Sequence, residues 1–132
     1  FRIPGLQASA SDGDLLTYDS TLDRIVFSST YRQDAQAVSA LNIDCSTGNY
    51  FTKAISADST FTFSNVPSTG TAYSFTIEIE VTGDRTITWP TSVKFNGDTA
   101  PTLAADRTHL FMFVTDNGGT RFRASALVDY VD

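Results

Sequence analysis

Side chains alternate between apolar and polar from Tyr73 to Thr82. The odd positions are apolar and the even positions are polar throughout this segment. A period of two is typical of a β-strand that buries one face and exposes the other. The segment therefore predicts a strand whose residues Phe75, Ile77 and Ile79 lie in the core.

Residues 110–114 are instead apolar at every position. An uninterrupted apolar run of this length predicts a strand that is covered on both faces. Two arrangements would cover it: a central position in a sandwich, or a place at a subunit interface. In either arrangement we expect Phe111 and Phe113 to be buried.

Shorter apolar segments between turn-forming residues complete the predicted strands. An N-terminal hairpin is predicted from two clusters, 15–18 and 24–27, that are separated by a polar loop. A second hairpin is predicted from strands 38–44 and 50–56, joined across residues 45–49. The remaining predicted strands are 59–64, 85–89, 93–95 and 122–130. Trp89 shares a strand face with Ile87 and is therefore assigned to the core, and residues 103–107 are the one place where a single helical turn would fit.

About eight short, regularly spaced strands in the main body predict an all-β fold, an antiparallel sandwich or a jelly-roll-like arrangement. Good helix formers are scarce, since glutamate occurs only at positions 78 and 80 and lysine only at 53 and 94. We divide the chain into an N-terminal connector and hairpin, residues 1–35, and a β-sandwich body, residues 36–132. An isolated hairpin is marginally stable in water, so the connector needs support from neighbouring chain.

The formal net charge of -6 argues against a nucleic-acid partner, which requires a basic surface. No stretch has the apolar length that crosses a bilayer, so membrane insertion is not expected. Cys45 is the single cysteine, which excludes an internal disulfide and a paired-cysteine metal site. The chain starts at Phe1 without a signal-like apolar core, and we expect it to be a segment of something longer.

Glu78 and Glu80 lie two residues apart on one strand, about 7 Å from each other, which overlaps the spacing of glycosidase carboxylates. The pair suggests a glycan-cleaving depolymerase, but a solvated strand face explains it more simply, because catalytic pairs sit in a cleft. Arg121 and Arg123 share the polar face of the last strand. They would pair with the glutamates if the two strands are neighbours, or bind an acidic glycan.

Three other groups of residues offer chemistry that ordinary structural roles also explain. His109 would serve Cys45 or a serine as a base, but no nucleophile motif accompanies it, so a structural histidine is expected. Residues 12–14 and 116–118 carry oxygen ligands suited to calcium, yet neither segment continues into a calcium-binding loop, and turn chemistry accounts for both. No metal or other cofactor is predicted.

Trp89 is the single tryptophan and the best candidate for carbohydrate contact. With Tyr50, Tyr73 or Tyr130 it would form an aromatic platform for a sugar ring. Its strand parity nevertheless assigns it to the core, so the sequence names no binding residue with certainty.

Several short segments stand out along the chain: GDLLTYD at 13–19 with RIV at 24–26, TITWP at 86–90 and FVTDNGGT at 113–120. Together they resemble bacteriophage fibre proteins, especially those of tailed phages of aquatic bacteria. The order and spacing of these segments carry the resemblance more than any one of them. It implies a trimeric virion component, on the tail or the head, with a small β-sandwich body behind a fibrous N-terminal part.

The sequence therefore predicts a homotrimeric structural fibre module on the virion exterior, assembled with other virion proteins and able to touch a host-surface glycan or protein. Association is expected on physical grounds, because residues 110–114 need cover, while the number three comes from the resemblance. The protein is not expected to be an enzyme. The alternative is a monomeric carbohydrate-binding module of a secreted bacterial protein.

Overall fold

The structure is a computed structural model that describes residues 15–19, 24–28 and 34–132. The chain divides into two compact units, residues 1–32 and 33–132. In the first unit β1 (Leu15–Asp19) pairs antiparallel with β2 (Arg24–Ser28). The predicted N-terminal hairpin is therefore confirmed.

The described part of the second unit is built from short strands, with no α-helix among residues 34–132. The all-β prediction is confirmed. The described body has more strands than the predicted eight or so, and several of them are only two or three residues long. In chain order they are β3 (Gln36–Ala37), β4 (Asn42–Asp44), β5 (Tyr50–Ile55), β6 (Ser59–Thr60), β7 (Thr62–Ser64), β8 (Tyr73–Val81), β9 (Ile87–Thr88), β10 (Val93–Phe95), β11 (Arg107–Thr115) and β12 (Phe122–Tyr130).

Six of these strands form one mixed sheet in the order β10-β12-β11-β8-β5-β3. Strand β11 runs antiparallel to both β8 and β12. Strands β5 and β8, β3 and β5, and β10 and β12 pair in parallel. The sheet of this sandwich-like fold is therefore mixed rather than purely antiparallel, and its parallel neighbours are joined by long crossovers rather than by tight turns.

The predicted hairpin of residues 38–44 and 50–56 is also wrong. Strand β4 pairs with β7, and β5 pairs with β8. The two ends of the intervening turn bond to different sheets: the N–H of Cys45 donates to Ser64 O at 2.9 Å, and the N–H of Thr76 donates to Asn49 O at 2.8 Å. The turn thus carries the chain from one layer to the other, so that Ile43 and Phe51 enter the core from opposite sides.

The alternation from Tyr73 to Val81 is confirmed as a half-buried strand. Phe75, Ile77 and Ile79 point into the core and are at most 3% exposed. Strand β11 lies beside β8 in continuous register, with Phe111 and Phe113 buried on the same face. This face of the six-stranded sheet is the core face, and the opposite side is called the outer face below.

A second layer covers the core face. It consists of two small parallel sheets, β4 with β7 and β6 with β9. Their aromatic side chains meet those of the large sheet: Phe63 packs edge-on against Phe75, Phe113 and Phe122, with ring centroids 4.9–5.4 Å apart. The single strand predicted at 59–64 is divided at Phe61, which is buried between β6 and β7.

Trp89 is only half-buried, so its predicted place in the core is correct in part. Its ring stacks on Phe61 with centroids 5.0 Å apart and lies 4.9 Å from Phe111. The helical turn that would fit at 103–107 does not form. Residues 105–106 make a tight turn with Asp106 at φ 57°, and the short 3-10 turn of the described region lies at Asn96–Asp98.

Candidate functional site

An apolar stripe crosses the outer face of the six-stranded sheet. Leu110, Met112 and Val114 of β11 point away from the core, and Leu127 of β12 lies opposite Leu110. Leu110 and Met112 are half-buried by the flanking strands, whereas Val114 is 46% and Leu127 is 51% exposed. Within residues 34–132 the second layer packs on the opposite side of the sheet, so the prediction that 110–114 is covered on both faces fails for the isolated chain.

Charged residues lie on either side of this apolar stripe. Lys94 and Arg123 are neighbours in register on β10 and β12, and both are exposed. Glu78 and Glu80 lie on β8, on the other side of β11. An apolar centre with a charged rim is the usual anatomy of a protein–protein interface.

The end of β12 enlarges the apolar surface. Val128, Tyr130 and Val131 are 40%, 41% and 75% exposed, respectively. Single exposed apolar residues are ordinary, but several together on one surface mark an interaction site. Leu127 and these three residues lie within five consecutive positions, so exposed apolar side chains are concentrated at the end of β12.

Glu78 and Glu80 share the outer face, as their spacing predicts. The hydroxyl of Tyr50 donates a hydrogen bond to Glu78 Oε2 at 2.9 Å. Burial raises the pKa of Tyr50, and the adjacent Glu78 carboxylate adds to this shift. Both glutamates border a shallow groove of about 400 Å³ that also contains Lys53, whose Nζ donates to Val38 O at 2.9 Å.

The proposed pairing of the arginines with these glutamates does not occur, because β11 lies between β8 and β12. Arg121 instead forms an ion pair with Asp116 at 3.2 Å across the connecting turn. Arg123 lies opposite Val114. The arginines therefore do not fix the order of β8 and β12.

The turn at 116–119 is organised by hydrogen bonds within the chain. Asn117 Oδ1 accepts one from Thr115 Oγ1 at 3.1 Å and one from the N–H of Arg121 at 3.0 Å. Within the described part of the chain, no three His, Cys, Asp or Glu residues are grouped as a metal site would require. The other calcium candidate, residues 12–14, lies outside the described residues.

His109 is fully buried, and main-chain groups bond both of its ring nitrogens. Nε2 lies 3.1 Å from Ala104 O, and Nδ1 lies 3.1 Å from the N–H of Asp129. Because the Asp129 N–H donates, Nδ1 accepts and Nε2 carries the proton. The imidazole is thus a structural link between two segments, and it lies apart from Cys45.

Cys45 is a buried thiol, 4% exposed. Burial raises its pKa to about 11, with a smaller contribution in the same direction from the Asp44 carboxylate. Burial likewise raises the pKa of Tyr73, whose hydroxyl donates to Gly48 O. At neutral pH Cys45 stays protonated, which does not suit a nucleophile or a metal ligand.

The alternative role of Trp89, an aromatic platform with Tyr50, Tyr73 or Tyr130, is not supported by the ring contacts. Tyr50 lies on the outer face with Glu78, and the rings that pack on Trp89 belong to Phe61, Phe63, Phe111 and Phe113. Trp89 does, however, line a cleft of about 240 Å³ between the 84–89 segment and the 100–103 loop. No local pattern in the sequence indicates that Asp84 and Arg85 lie against the 100–103 loop, so the cleft could not be predicted from the sequence.

Two other residues of the outer face were also missed by the sequence analysis. Lys94 is exposed between Val93, which is buried, and Phe95, which is half-buried. Leu127 is exposed and follows the half-buried Ala126. The alternation of 93–95, with Val93 and Phe95 apolar, does indicate that Lys94 points outward. Leu127 carries no such signal, because it follows the apolar Ala126 on a strand whose alternation ends there.

No known protein family, curated protein or solved structure matches this chain. Among the described residues there is no helix with the length and apolarity that crossing a membrane requires.

Proposed function

We propose that this chain is a structural module of a bacteriophage fibre that assembles as a homotrimer through its outer sheet face. The observation that carries the proposal is the partly exposed apolar stripe of Leu110, Met112, Val114 and Leu127. The virion location comes from the sequence resemblance. In this role the module is a building block, and its loops contact the host surface.

Burial of the apolar stripe provides the driving force for association. Apolar surface removed from water contributes about 25 cal/mol per Å². A second and third copy would cover Val114 and Leu127, which the chain itself leaves about half exposed. Lys94, Arg123, Glu78 and Glu80 would then form a solvated rim, where charged side chains keep their hydration. Three copies related by rotation close without leaving an open end.

Sedimentation equilibrium of the complete chain tests the proposal. We expect a species with three times the mass of one chain: the stripe supplies the association, and the resemblance to fibre proteins supplies the number three. Leu127→Asp places a carboxylate in the centre of the stripe and should shift the mass to that of a monomer. Thr60→Asp is the matched control, since Thr60 is exposed on the second layer, away from the outer face; it should leave the trimer intact.

A chain that remains a monomer at high protein concentration would overturn the proposal. That outcome would favour the alternative, a monomeric carbohydrate-binding module. A change in mass with Thr60→Asp as large as that with Leu127→Asp would also count against it, because the effect would then not be specific to the outer face.

A further inference from the structure

The Trp89 cleft is separate from the outer face. It lies between the 84–89 segment, which contains β9, and the 100–103 loop. Glu78, Leu127 and the other residues of the proposed trimer interface do not line it. A ligand in the cleft and a neighbouring copy on the outer face would therefore occupy different surfaces of the same chain.

Apolar side chains form about half of the cleft lining. Trp89, Phe111, Ile87 and Leu103 line it. Phe61 stacks on the indole with the ring planes 23° apart, which covers part of the ring and holds it in place. Trp89 remains only half-buried, so the uncovered part of the indole is available at the cleft surface.

Hydrogen bonds in the second layer hold the segment that carries Trp89. The N–H of Thr86 donates to Asp58 Oδ1 at 2.9 Å, and Thr86 O accepts from the N–H of Ser59 at 3.0 Å. The N–H of Phe61 donates to Thr88 O at 2.9 Å. The main chain of Thr86 and Thr88 is thus anchored to residues 58–61, which holds the segment before Trp89 in place.

Two charged side chains lie at the cleft, Asp84 and Arg85. Arg85 Nε donates to Thr82 O at 3.0 Å, which orients the guanidinium above Gly83. This bond uses one of the five N–H donors of the guanidinium. Asp84 is exposed and supplies carboxylate acceptors to the same cleft.

We propose that this cleft binds one neutral pyranose ring of a surface glycan. The C–H face of a pyranose packs on an indole. Its hydroxyls both donate and accept, which matches a cleft lined by one carboxylate and one guanidinium. The volume of about 240 Å³ lies below the roughly 300–1,000 Å³ of sites for drug-sized ligands and suits a single ring. The net charge of -6 and Asp84 both disfavour an anionic ligand such as a nucleotide.

The fluorescence of Trp89 reports on this cleft directly, because it is the only tryptophan of the chain. The complete chain is titrated with the methyl glycosides of glucose, galactose, mannose and N-acetylglucosamine, each up to about 100 mM, with methyl glucuronide as the anionic comparison. We expect a saturable change in Trp89 emission with at least one neutral glycoside, and saturation-transfer NMR signals from its ring protons.

Two variants test whether the ligand occupies the cleft. Arg85→Ala should weaken the best glycoside about tenfold, since a bond to a charged donor is lost. Arg123→Ala is the matched control, because Arg123 is exposed on the outer face, away from the cleft. This variant should bind the glycoside with the affinity of the wild type. Circular dichroism confirms that both variants fold.

The proposal is overturned if none of the neutral glycosides gives a saturable signal, or if Arg85→Ala binds as tightly as Arg123→Ala. Preference for the glucuronide would overturn the neutral-ligand assignment. These results are independent of the trimer, since Leu127→Asp removes the assembly without touching the cleft. Glycoside binding that persists in Leu127→Asp therefore separates the two proposals.

Discussion

The Nδ1 atom of His109 accepts a hydrogen bond from the main-chain N–H of Asp129 at 3.1 Å. The register between β11 and β12 shifts between Thr108 and Leu110, so residues 128 and 129 both lie opposite His109. Asp129 also has a positive φ of 70°, as often found at a β-bulge. At the bulge the N–H of Asp129 has no place in the hydrogen-bond ladder between β11 and β12. The buried imidazole of His109 provides its acceptor instead.

We expect His109→Phe to lower the free energy of unfolding by about 2 kcal/mol, because the N–H of Asp129 and the carbonyl of Ala104 both lose a partner. Urea denaturation followed by circular dichroism measures the change. His109→Gln keeps an amide donor and acceptor and should lose less. Equal stability of His109→Phe and the wild type would mean that these two bonds contribute nothing.

Phe63 should contribute more to stability than Phe95, although both are partly buried on short strands. Phe63 contacts Phe75, Trp89, Phe113 and Phe122, whereas the ring contact of Phe95 is with Phe111. We expect Phe63→Ala to cost about 3–5 kcal/mol and Phe95→Ala at least about 1 kcal/mol less. Denaturation midpoints of the two variants give the comparison, and a larger loss in Phe95→Ala would contradict it.

Alkaline pH should destabilise the fold through Cys45. In the unfolded chain the thiol has a pKa of 9.0, and in the folded chain about 11. Between these values the unfolded state releases its proton while the folded state keeps it, so the free energy of unfolding falls as pH rises from 9 to 11. Tyr73, whose pKa is also raised, acts in the same direction at higher pH.

Denaturation at a series of pH values tests this prediction. Cys45→Ala removes the thiol and should show a smaller fall between pH 9 and 11 than the wild type, whatever its stability at pH 7. A thiol-specific reagent should label native Cys45 slowly and the denatured chain fast, because the native side chain is buried and protonated. Identical pH profiles for the two proteins would refute the assignment.

Association through the apolar stripe should not depend on ionic attraction. Raising NaCl from about 0.1 to 1 M screens surface charges but leaves apolar burial in place, so the trimer should persist, and sulfate should strengthen it. Val114→Asp should weaken it as Leu127→Asp does, because both side chains lie in the stripe. Dissociation of the wild type in 1 M NaCl would point to the charged rim instead.

Glu78 and Glu80 are not expected to hydrolyse glycans. Both side chains border only the shallow groove on the outer face, whereas a catalytic pair needs a cleft that holds the substrate between the two carboxyl groups. If the chain is part of a fibre as proposed, Glu78→Gln and Glu80→Gln should leave any host binding of that fibre intact. Reducing-sugar assays on host polysaccharide should detect no product with the wild type; product that disappears in either variant would show catalysis.

The local patterns of the sequence predict much of the strand content, but they do not predict strand order. The period of two in 73–81 suffices to define β8 and its buried face. Strand β5 pairs with β8, more than 20 positions farther along the chain, so the turn signal at 45–49 predicts a hairpin that does not form. Arg121 and Arg123 do not pair with Glu78 for a similar reason. Strand β11 lies between β8 and β12 in the sheet, and local sequence patterns do not determine this strand order.

The candidate sites depend even more on tertiary structure. The run at 110–114 does indicate an unusual strand, and its surplus apolar side chains form most of the stripe. The Trp89 cleft requires the 100–103 loop to lie against the 84–89 segment, and neither segment has a motif that indicates this contact. Trp89 shares a strand face with Ile87, which assigns it to the core, and Phe61 does stack on its ring. The alternation of the strand does not indicate that another part of the indole stays exposed.

The large sheet ends on strands of only two residues, β3, and three residues, β10. An edge strand with a long row of unpaired main-chain groups would recruit strands from other molecules and start amyloid-like growth. Strand β10 covers only Phe122–Ala124 of β12, and the bulge opposite His109 interrupts the row of main-chain groups in the rest of that strand. Each edge is therefore short or irregular, which disfavours pairing with another sheet. Many copies can therefore be packed side by side in a confined space without their sheets fusing, and contact between them is left to side chains.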